Sequence, residues 1–162
     1  MALNRLTRVN FDPPMIGVCV NKSNASHAAI LDTSEFSVNV LSVDMFKVTD
    51  YKGLVSAKRV GKSDLFEVFY GELKSAPMIS GCPLTIECKG IRTVELPANS
   101  FVIAEIMNIY SEDKYLTEGK PDVKKINPFV VTIPDNRFWA IGECLGRAWN
   151  AGKTLRMGSQ RE

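Results

Sequence analysis

The sequence lacks the features that would place the protein in a membrane or on a nucleic acid. No apolar run approaches the roughly 18 residues needed to span a bilayer, and the N-terminal residues MALNRLTRV lack the continuous apolar core of a signal peptide. The 20 basic and 18 acidic side chains nearly balance and are interspersed along the chain, which argues against binding to nucleic acid or to a membrane surface. We therefore expect a cytoplasmic protein.

Metal-ligating and disulfide-forming side chains are also scarce. The chain has one histidine, His27, and four cysteines, Cys19, Cys82, Cys88 and Cys144, with no CxxC or His-Cys cluster at metal-ligand spacing. Cys19 and Cys88 fall in apolar strand patterns and Cys144 in a helical pattern, so we interpret all four as buried free thiols. A lone histidine is more typical of an exposed first helical turn than of catalysis.

Internal divisions are missing as well. The 162 residues contain no repeat, no low-complexity tract and no linker rich in Pro, Gly and Ser. No GxGxxG motif follows a predicted strand, which excludes a Rossmann domain for a dinucleotide. With 45% hydrophobic residues, a chain of this length buries most of its apolar surface without disulfide bonds or bound metals. Residues 1–162 are therefore predicted to form a single domain.

Strand patterns dominate what is present. Runs rich in β-branched and aromatic residues lie at 7–11, 15–20, 35–41, 84–89, 91–96, 101–109, 129–133 and 138–141. Helical patterns are fewer, at 25–32, 44–51, a short turn after Asp64, and 145–151. Because the strands do not alternate with helices, we predict a mainly β barrel or sandwich with a few peripheral helices. Glu87, Glu95 and Glu105 alternate with apolar residues, which places them on solvent-exposed strand faces.

A polar break between a strand and a helix is the strongest candidate for a binding site. Residues 21–26, NKSNAS, separate the strand at 15–20 from the helix at 25–32. Ser23, Asn24 and Ser26 are of the types that cap helices, and Lys22 adds a positive charge beside the unpaired N–H groups of a helix start. The segment is a candidate phosphate seat. An ordinary capped helix beside a solvated lysine has the same pattern.

A second candidate is the basic loop DYKGLVSAKRVGKSD at residues 50–64. Ser56, Lys58, Arg59 and Lys62 give it hydroxyl and cationic groups that could fold over an anion. A dianion commonly recruits a helix terminus together with a Lys or Arg from another segment. A solvated connection that is basic by chance has the same composition.

These segments, taken together, resemble a known family. The runs DPPMIGVCV, KSNASHAAI and EFSVNVL, in that order, are similar to the flavin reductase-like family of FMN-binding split barrels, especially its flavoredoxin branch. The resemblance continues through SAKRVGKSDLFEVFYGELKSAPMISGCPLTIECKG to DKYLTEGKPDVKKINPFV and GECLGRAWNAGK, and covers about residues 4–155. It implies an FMN-binding split β-barrel of Greek-key type, a homodimer, and one FMN per subunit near the interface.

The resemblance also implies which residues contact the cofactor. Lys22, Ser23, Asn24 and Ser26 would take the 5′-phosphate, and Ser56, Ala57 and Lys58 would close over the phosphate or the ribityl chain. Asn4, Arg5 and Thr7 would run beside the isoalloxazine ring, and Trp149 would approach it from this subunit or the other. No side chain is expected to be catalytic, because the cofactor takes up the hydride or the electrons.

The implied function is electron transfer or NAD(P)H-dependent flavin reduction, with NAD(P)H or a redox protein as partner. Members of the family begin with a further strand pair, whereas Pro13 lies only 12 residues after Met1, so we expect the family's first strand to be missing. That departure keeps a different class of function open, a flavin-free split-barrel dimer that acts as a binding or structural module.

Overall fold

The structure, a computed structural model, describes residues 1–54 and 66–153. The predicted turn after Asp64 lies outside the described residues. The strands are β1 (Leu6–Asn10), β2 (Met15–Asn21), β3 (Glu35–Val40), β4 (Val68–Phe69), β5 (Met78–Ile79), β6 (Leu84–Glu95), β7 (Asn99–Tyr110), β8 (Leu116–Thr117), β9 (Lys120–Pro121), β10 (Phe129–Thr132) and β11 (Arg137–Ala140). The helices are α1 (Ala25–Thr33), α2 (Phe46–Leu54) and α3 (Val123–Ile126). The prediction of a mainly β chain is confirmed.

A five-stranded antiparallel sheet of order β1-β2-β7-β6-β3 organises the molecule. Its centre is the hairpin of β6 and β7, two strands of 12 residues each. The sequence predicted two strands, at 84–89 and 91–96, where β6 is continuous. The register of β6 shifts between Glu87 and Cys88 and again between Gly90 and Arg92, and such bulges bend a strand without ending it.

One face of this sheet carries the hydrophobic core. Alternate residues of a strand point to the same face, and their side chains pack with Ile30 of α1: Ile16, Val18, Val20, Phe36, Cys88, Val102 and Ala104. Burying each larger aliphatic or aromatic side chain stabilises the fold by about 1.5–3 kcal/mol. The same packing fixes α1 against the sheet, and therefore fixes the position of the polar segment that precedes it.

Gly17, in β2, allows an aromatic ring to lie on the sheet. A Cβ atom at this position would stand 2.2 Å from Cζ of Phe101 and 3.1 Å from a methyl carbon of Val9. The Phe101 ring thus occupies the space that a side chain would fill. Gly17 pairs across the sheet with Ile103, and Phe101 pairs with Cys19, so the ring leans along the sheet onto the glycine.

Residues 71–79 cover the part of the opposite face around Glu87, and this corrects the prediction for Glu87. Glu87 is fully buried, not solvent-exposed, because that segment lies over it. Its carboxylate accepts hydrogen bonds from Tyr110 Oη (3.0 Å) and Asn108 Nδ2 (3.2 Å). It also accepts from the backbone N–H groups of Leu73 (3.2 Å) and Glu72 (3.3 Å). One carboxylate therefore joins the covering segment to β7.

The ionisation of Glu87 follows from these contacts. Burial by itself raises the pKa of a carboxyl group, but the hydrogen bonds from Asn108, Tyr110, Leu73 and Glu72 outweigh it, and the pKa of Glu87 lies below its ordinary value of 4.5. The charged form is the one that the fold stabilises.

The cysteines depart in part from expectation. All four are free thiols, and Cys82 and Cys88 are buried, but Cys19 is only partly buried and Cys144 is exposed. Burial raises the pKa of Cys82 to about 11 and that of Cys88 to about 12. Neither of these two thiols is therefore disposed to form a thiolate near neutral pH.

The C-terminal part of the described chain also differs from the prediction. Residues 145–151 were expected to be helical, but residues 141–147 have no regular structure and 148–152 form turns. Every residue from 132 to 153 is exposed. A short helix is marginal in water unless its apolar side packs on another surface, and this segment has no such surface within the described chain.

In the described residues, no helix is both long and apolar enough to cross a membrane.

We expect Glu87→Gln to lower the free energy of unfolding by roughly 1–3 kcal/mol, because an amide cannot accept from all four donors. The stabilisation by Glu87 is complete above pH 4.5 and is lost as the pH falls through its lower folded-state pKa. The difference in the free energy of unfolding between wild type and Glu87→Gln should therefore be smaller at acidic pH. Urea titrations at neutral and acidic pH measure this difference, and Glu67→Gln, at an exposed position, is the control. An equal loss at both pH values would contradict this account.

Candidate anion-binding site

The segment before α1 leaves the start of that helix open. Asn24 is the N-cap, in an extended conformation (φ −73°, ψ 136°), but its side chain makes no capping hydrogen bond. The turn is held instead by Asn21, whose Oδ1 accepts from the Ser23 N–H (2.8 Å) and the Ser23 hydroxyl (2.7 Å). The first N–H groups of a helix have no intrahelical acceptors. The N–H of His27 already donates to the carbonyl of Asn24 (3.0 Å), and the N–H groups before it, which the N-cap side chain does not cap, can take an anion.

Lys22 lies beside this helix start, but its ammonium group already has a partner. Lys22 Nζ is 2.7 Å from Glu95 Oε2 at the end of β6. The backbone N–H of Lys22 donates to the carbonyl of Ala98 in the β6–β7 turn (3.1 Å). A backbone hydrogen bond thus joins segment 21–24 to that turn, and the Lys22 side chain contacts Glu95, the last residue of β6 before the turn.

The Glu95 carboxylate leads into a polar network beneath the helix. Ser100, the second residue of β7, is fully buried, and its Oγ lies 3.0 and 3.1 Å from the two Glu95 oxygens. His27 Nε2 lies 2.7 Å from the same Ser100 Oγ. His27 was expected to be an exposed first-turn residue, but it is partly buried and joins α1 to the sheet. The network runs Lys22, Glu95, Ser100, His27.

The charges in this network favour an ionised Glu95. Hydrogen bonds from Lys22 and then from Ser100 hold the pKa of Glu95 below its usual range. An ionised carboxylate can only accept, so Ser100 uses its single proton toward Glu95. Ser100 then has only lone pairs to offer His27, and Nε2 of neutral His27 must be the donor. The geometry thereby assigns the histidine tautomer.

The N-terminal residues run past the same end of the sheet. The carbonyl of Arg5 accepts from the Cys19 N–H (3.0 Å), and Asn24 Nδ2 donates to Met1 Sδ (3.1 Å). Residues 1–5 therefore extend from β1 toward the N-cap of α1. Asn4 and Arg5 lie in this segment, between β1 and the Met1 side chain that contacts Asn24, and Thr7 lies further along the exposed strand β1.

The other predicted contacts are Ser56, Ala57, Lys58 and Trp149. Ser56, Ala57 and Lys58 lie outside the described residues. Trp149 is 95% exposed and lies in the C-terminal turns, with φ at 59°. A cavity of about 140 Å³ lies elsewhere, between Val43, Phe46, Phe129, Phe138, Trp139 and Ala140. Within residues 1–54 and 66–153, no group of three or more His, Cys, Asp or Glu side chains could hold a metal ion.

Sequence reasoning missed Glu95 and Ser100 as parts of this site. Glu95 fits the alternation of an outer strand face, and its side chain is indeed largely exposed (56%). A signal was present in the spacing, because residues 96–98 form the short connection of the hairpin and place Glu95 opposite Ser100. Which residues of β2 face that turn depends on the β2–β7 register, where Asn21 pairs with Asn99.

The arrangement is that of a split barrel, a fold shared with solved flavin reductase-like structures. The model of the flavin reductase like domain matches residues 1–121. The chain belongs to the flavin reductase-like family.

Flavoredoxins are among the similar solved structures. Flavoredoxin from Methanosarcina acetivorans is 52% identical, with a TM-score of 0.93 over 96% of this chain and 83% of that one. Flavoredoxin of Desulfovibrio vulgaris (Miyazaki F) is 28% identical, with a TM-score of 0.87 over 94% and 84% of the two chains. An NADH-dependent FAD reductase of Streptomyces globisporus is 27% identical over 66% of this chain and 59% of that protein. These similarities support a flavin-related electron-transfer or reductase function.

We expect neutral His27 to be the Nε2–H tautomer, because Ser100 must accept from it. The protein has one histidine, so a ¹⁵N-histidine-labelled sample at about pH 8.5 gives one pair of ring nitrogen signals that distinguish the tautomers. Ser100→Ala removes the acceptor and should relax the preference. A dominant Nδ1–H form in the wild type would contradict the network.

Proposed function

We propose that the chain is an FMN-binding flavoprotein of the flavoredoxin type, which transfers electrons or reduces flavin with NAD(P)H. The observation that carries the proposal is the open start of α1, with Lys22 beside it and no side chain capping its N–H groups. A phosphomonoester carries about −1.5 to −2 charges near pH 7. Such an anion suits a site that offers several N–H donors, hydroxyls and an ammonium group.

The residues near the helix start fit the phosphate. Ser23 and Asn24 lie just before α1, and Ser26 lies in its first turn. The side chain of Lys22 is 38% exposed, so it can reorient toward an anion. Charge-assisted hydrogen bonds each contribute on the order of 1.5–3 kcal/mol, so a few of them support micromolar binding. We keep Ser56, Ala57 and Lys58 as proposed contacts from the basic loop.

The edge of the sheet would take the ring. Asn4, Arg5 and Thr7 lie on or beside β1, whose five residues are all exposed, and backbone groups of such an edge strand can approach a flat ring system. A bound flavin supplies the hydride and electron chemistry, and the protein supplies binding and orientation. In our proposal NAD(P)H or a redox protein reaches the flavin only transiently.

A homodimer would complete this site. Leu145 is 99% exposed and Trp149 95%, and Phe138 and Trp139 are exposed by 36% and 49%. Phe138 and Trp139 also line the aromatic cavity of about 140 Å³ with Phe46 and Phe129. Apolar surface of this extent is unusual on a monomer and is typical of an interface. A second subunit could cover it and bring its own Trp149 to the flavin.

A flavin-free dimer that serves as a binding or structural module is the competing proposal. It is favoured by the Lys22–Glu95 ion pair, which occupies the lysine that the phosphate requires. Colour decides between the two. We expect purified protein to be yellow, or to become so when loaded with FMN, with FAD and riboflavin loaded in parallel. Colourless protein that takes up none of the three would refute flavin binding and leave the module.

We expect Lys22→Ala to weaken FMN binding roughly 10- to 100-fold, about 1.4–2.8 kcal/mol for one charge-assisted contact. Quenching of flavin fluorescence measures the dissociation constant. Riboflavin lacks the phosphate and should bind both proteins alike, and Lys114→Ala, which removes a lysine paired with Glu112, is the matched control. Unchanged FMN affinity would exclude Lys22 and assign the phosphate to the loop that contains Ser56 and Lys58.

We expect a homodimer in sedimentation experiments at micromolar concentration, with an interface above about 2,000 Å², as obligate pairs have. Trp149→Ser should shift the population toward monomer, because it removes the larger of the two nearly fully exposed side chains of the C-terminal segment. A stable wild-type monomer at that concentration would contradict both the dimer and the shared flavin site.

A further inference from the structure

The helix start of α1 already has an anion beside it, supplied by the protein. The Glu95 carboxylate accepts from Lys22 at 2.7 Å. Through Ser100 it is also linked to His27 in the first turn of α1. A carboxylate near a helix N-terminus is stabilised by the helix dipole. The place that suits an incoming phosphate is thus partly satisfied by an internal group.

The two partners of this ion pair are held unequally. Glu95 keeps the hydroxyl of Ser100, a fully buried residue, at 3.0 and 3.1 Å from its two oxygens, and His27 holds that hydroxyl from the other side. The Lys22 ammonium has Glu95 as its one hydrogen-bond partner in the described part of the chain. If the pair separates, Glu95 retains its hydrogen bond, and the lysine is the group that can move.

We propose that Glu95 is a specificity-determining residue that competes with the ligand's phosphate for Lys22 and so lowers the affinity of the site for phosphate-bearing flavins. This inference rests on the proposed function. Ser100 and His27 act as positioning residues, because they keep the Glu95 carboxylate beside the candidate phosphate-binding site at the start of α1. Binding then exchanges one partner of Lys22 for another.

The magnitudes make such an exchange feasible. An exposed ion pair such as Lys22–Glu95 is weak, and a phosphate carries more negative charge than one carboxylate. A phosphate dianion therefore wins the lysine, but with an affinity reduced by the contribution of the pair. The expected reduction is up to about 5-fold in the dissociation constant for FMN. Riboflavin has no phosphate and is not subject to this competition.

The test compares Glu95→Gln with wild type for FMN and riboflavin binding. Glutamine keeps an oxygen that accepts from Ser100 but no charge that holds Lys22, so we expect FMN to bind about 2- to 5-fold more tightly and riboflavin to bind as before. When Lys22→Ala is also present, Glu95→Gln should increase the affinity for FMN by no more than half of the factor that it gives with Lys22 in place. Glu112→Gln, which breaks an exposed pair with Lys114 elsewhere in the chain, should change neither affinity.

A second measurement does not depend on the affinity. FMN, but not riboflavin, should shift the ring nitrogen signals of the single histidine in the wild type, because loss of Lys22 from Glu95 alters the hydrogen bond that reaches His27 through Ser100. In Glu95→Gln that FMN-induced shift should be smaller.

Three results would overturn the inference. FMN binding that is unchanged or weaker in Glu95→Gln would show that the carboxylate does not compete, and an equal gain with and without Lys22 would show only a general charge effect. An FMN-induced shift of the His27 ring nitrogen signals that is as large in Glu95→Gln as in wild type would show that the shift does not pass through Glu95. Failure of the proposed function is a different outcome, because there the wild type binds no flavin.

Discussion

The ladder between β6 and β7 is the interaction on which the rest of the structure depends. Its one face provides Cys88, Val102 and Ala104 to the core that fixes α1, and its other face buries Glu87 beneath residues 71–79. Its closed end brings Glu95 next to Ser100. The geometry of the candidate site therefore depends on the position of the turn between β6 and β7. Displacing the turn by two residues would keep every side chain on its own face and still separate Glu95 from Lys22.

The two carboxylates of β6 show how differently one strand can use the same residue type. Glu87 is fully buried and its four hydrogen bonds come from neutral donors, three of which are the backbone groups of Glu72 and Leu73 and the Tyr110 hydroxyl. The two backbone donors, Glu72 and Leu73, cannot leave without displacing the covering segment. Glu95 is exposed, and its strongest partner is a lysine on a flexible stem. A carboxylate held by the backbone stabilises the fold, whereas one held by a mobile cation can take part in binding.

Local pattern was enough to predict most strands, α1 and the polar break between β2 and α1, because alternation, helix caps and turn residues act over a few neighbours. Contacts between distant segments were not predictable in this way. Glu87 has the alternation of a surface residue, and only the path of residues 71–79 buries it. Residues 145–151 have a helical pattern, but a helix needs a surface to pack on, and the described chain offers none there. The network of Glu95, Ser100 and His27 needed the register of two strand pairs.

The contact between Gly17 and the Phe101 ring has a consequence for how this sequence can vary. The ring fills the volume above a position that has no side chain, so an alanine at 17 alone would collide with it, and a smaller residue at 101 alone would uncover the backbone of β2 next to Val9. Each position is constrained by the other, and the two are expected to change together among related chains. Such paired change would be a record of this contact in sequences whose structures have not been determined.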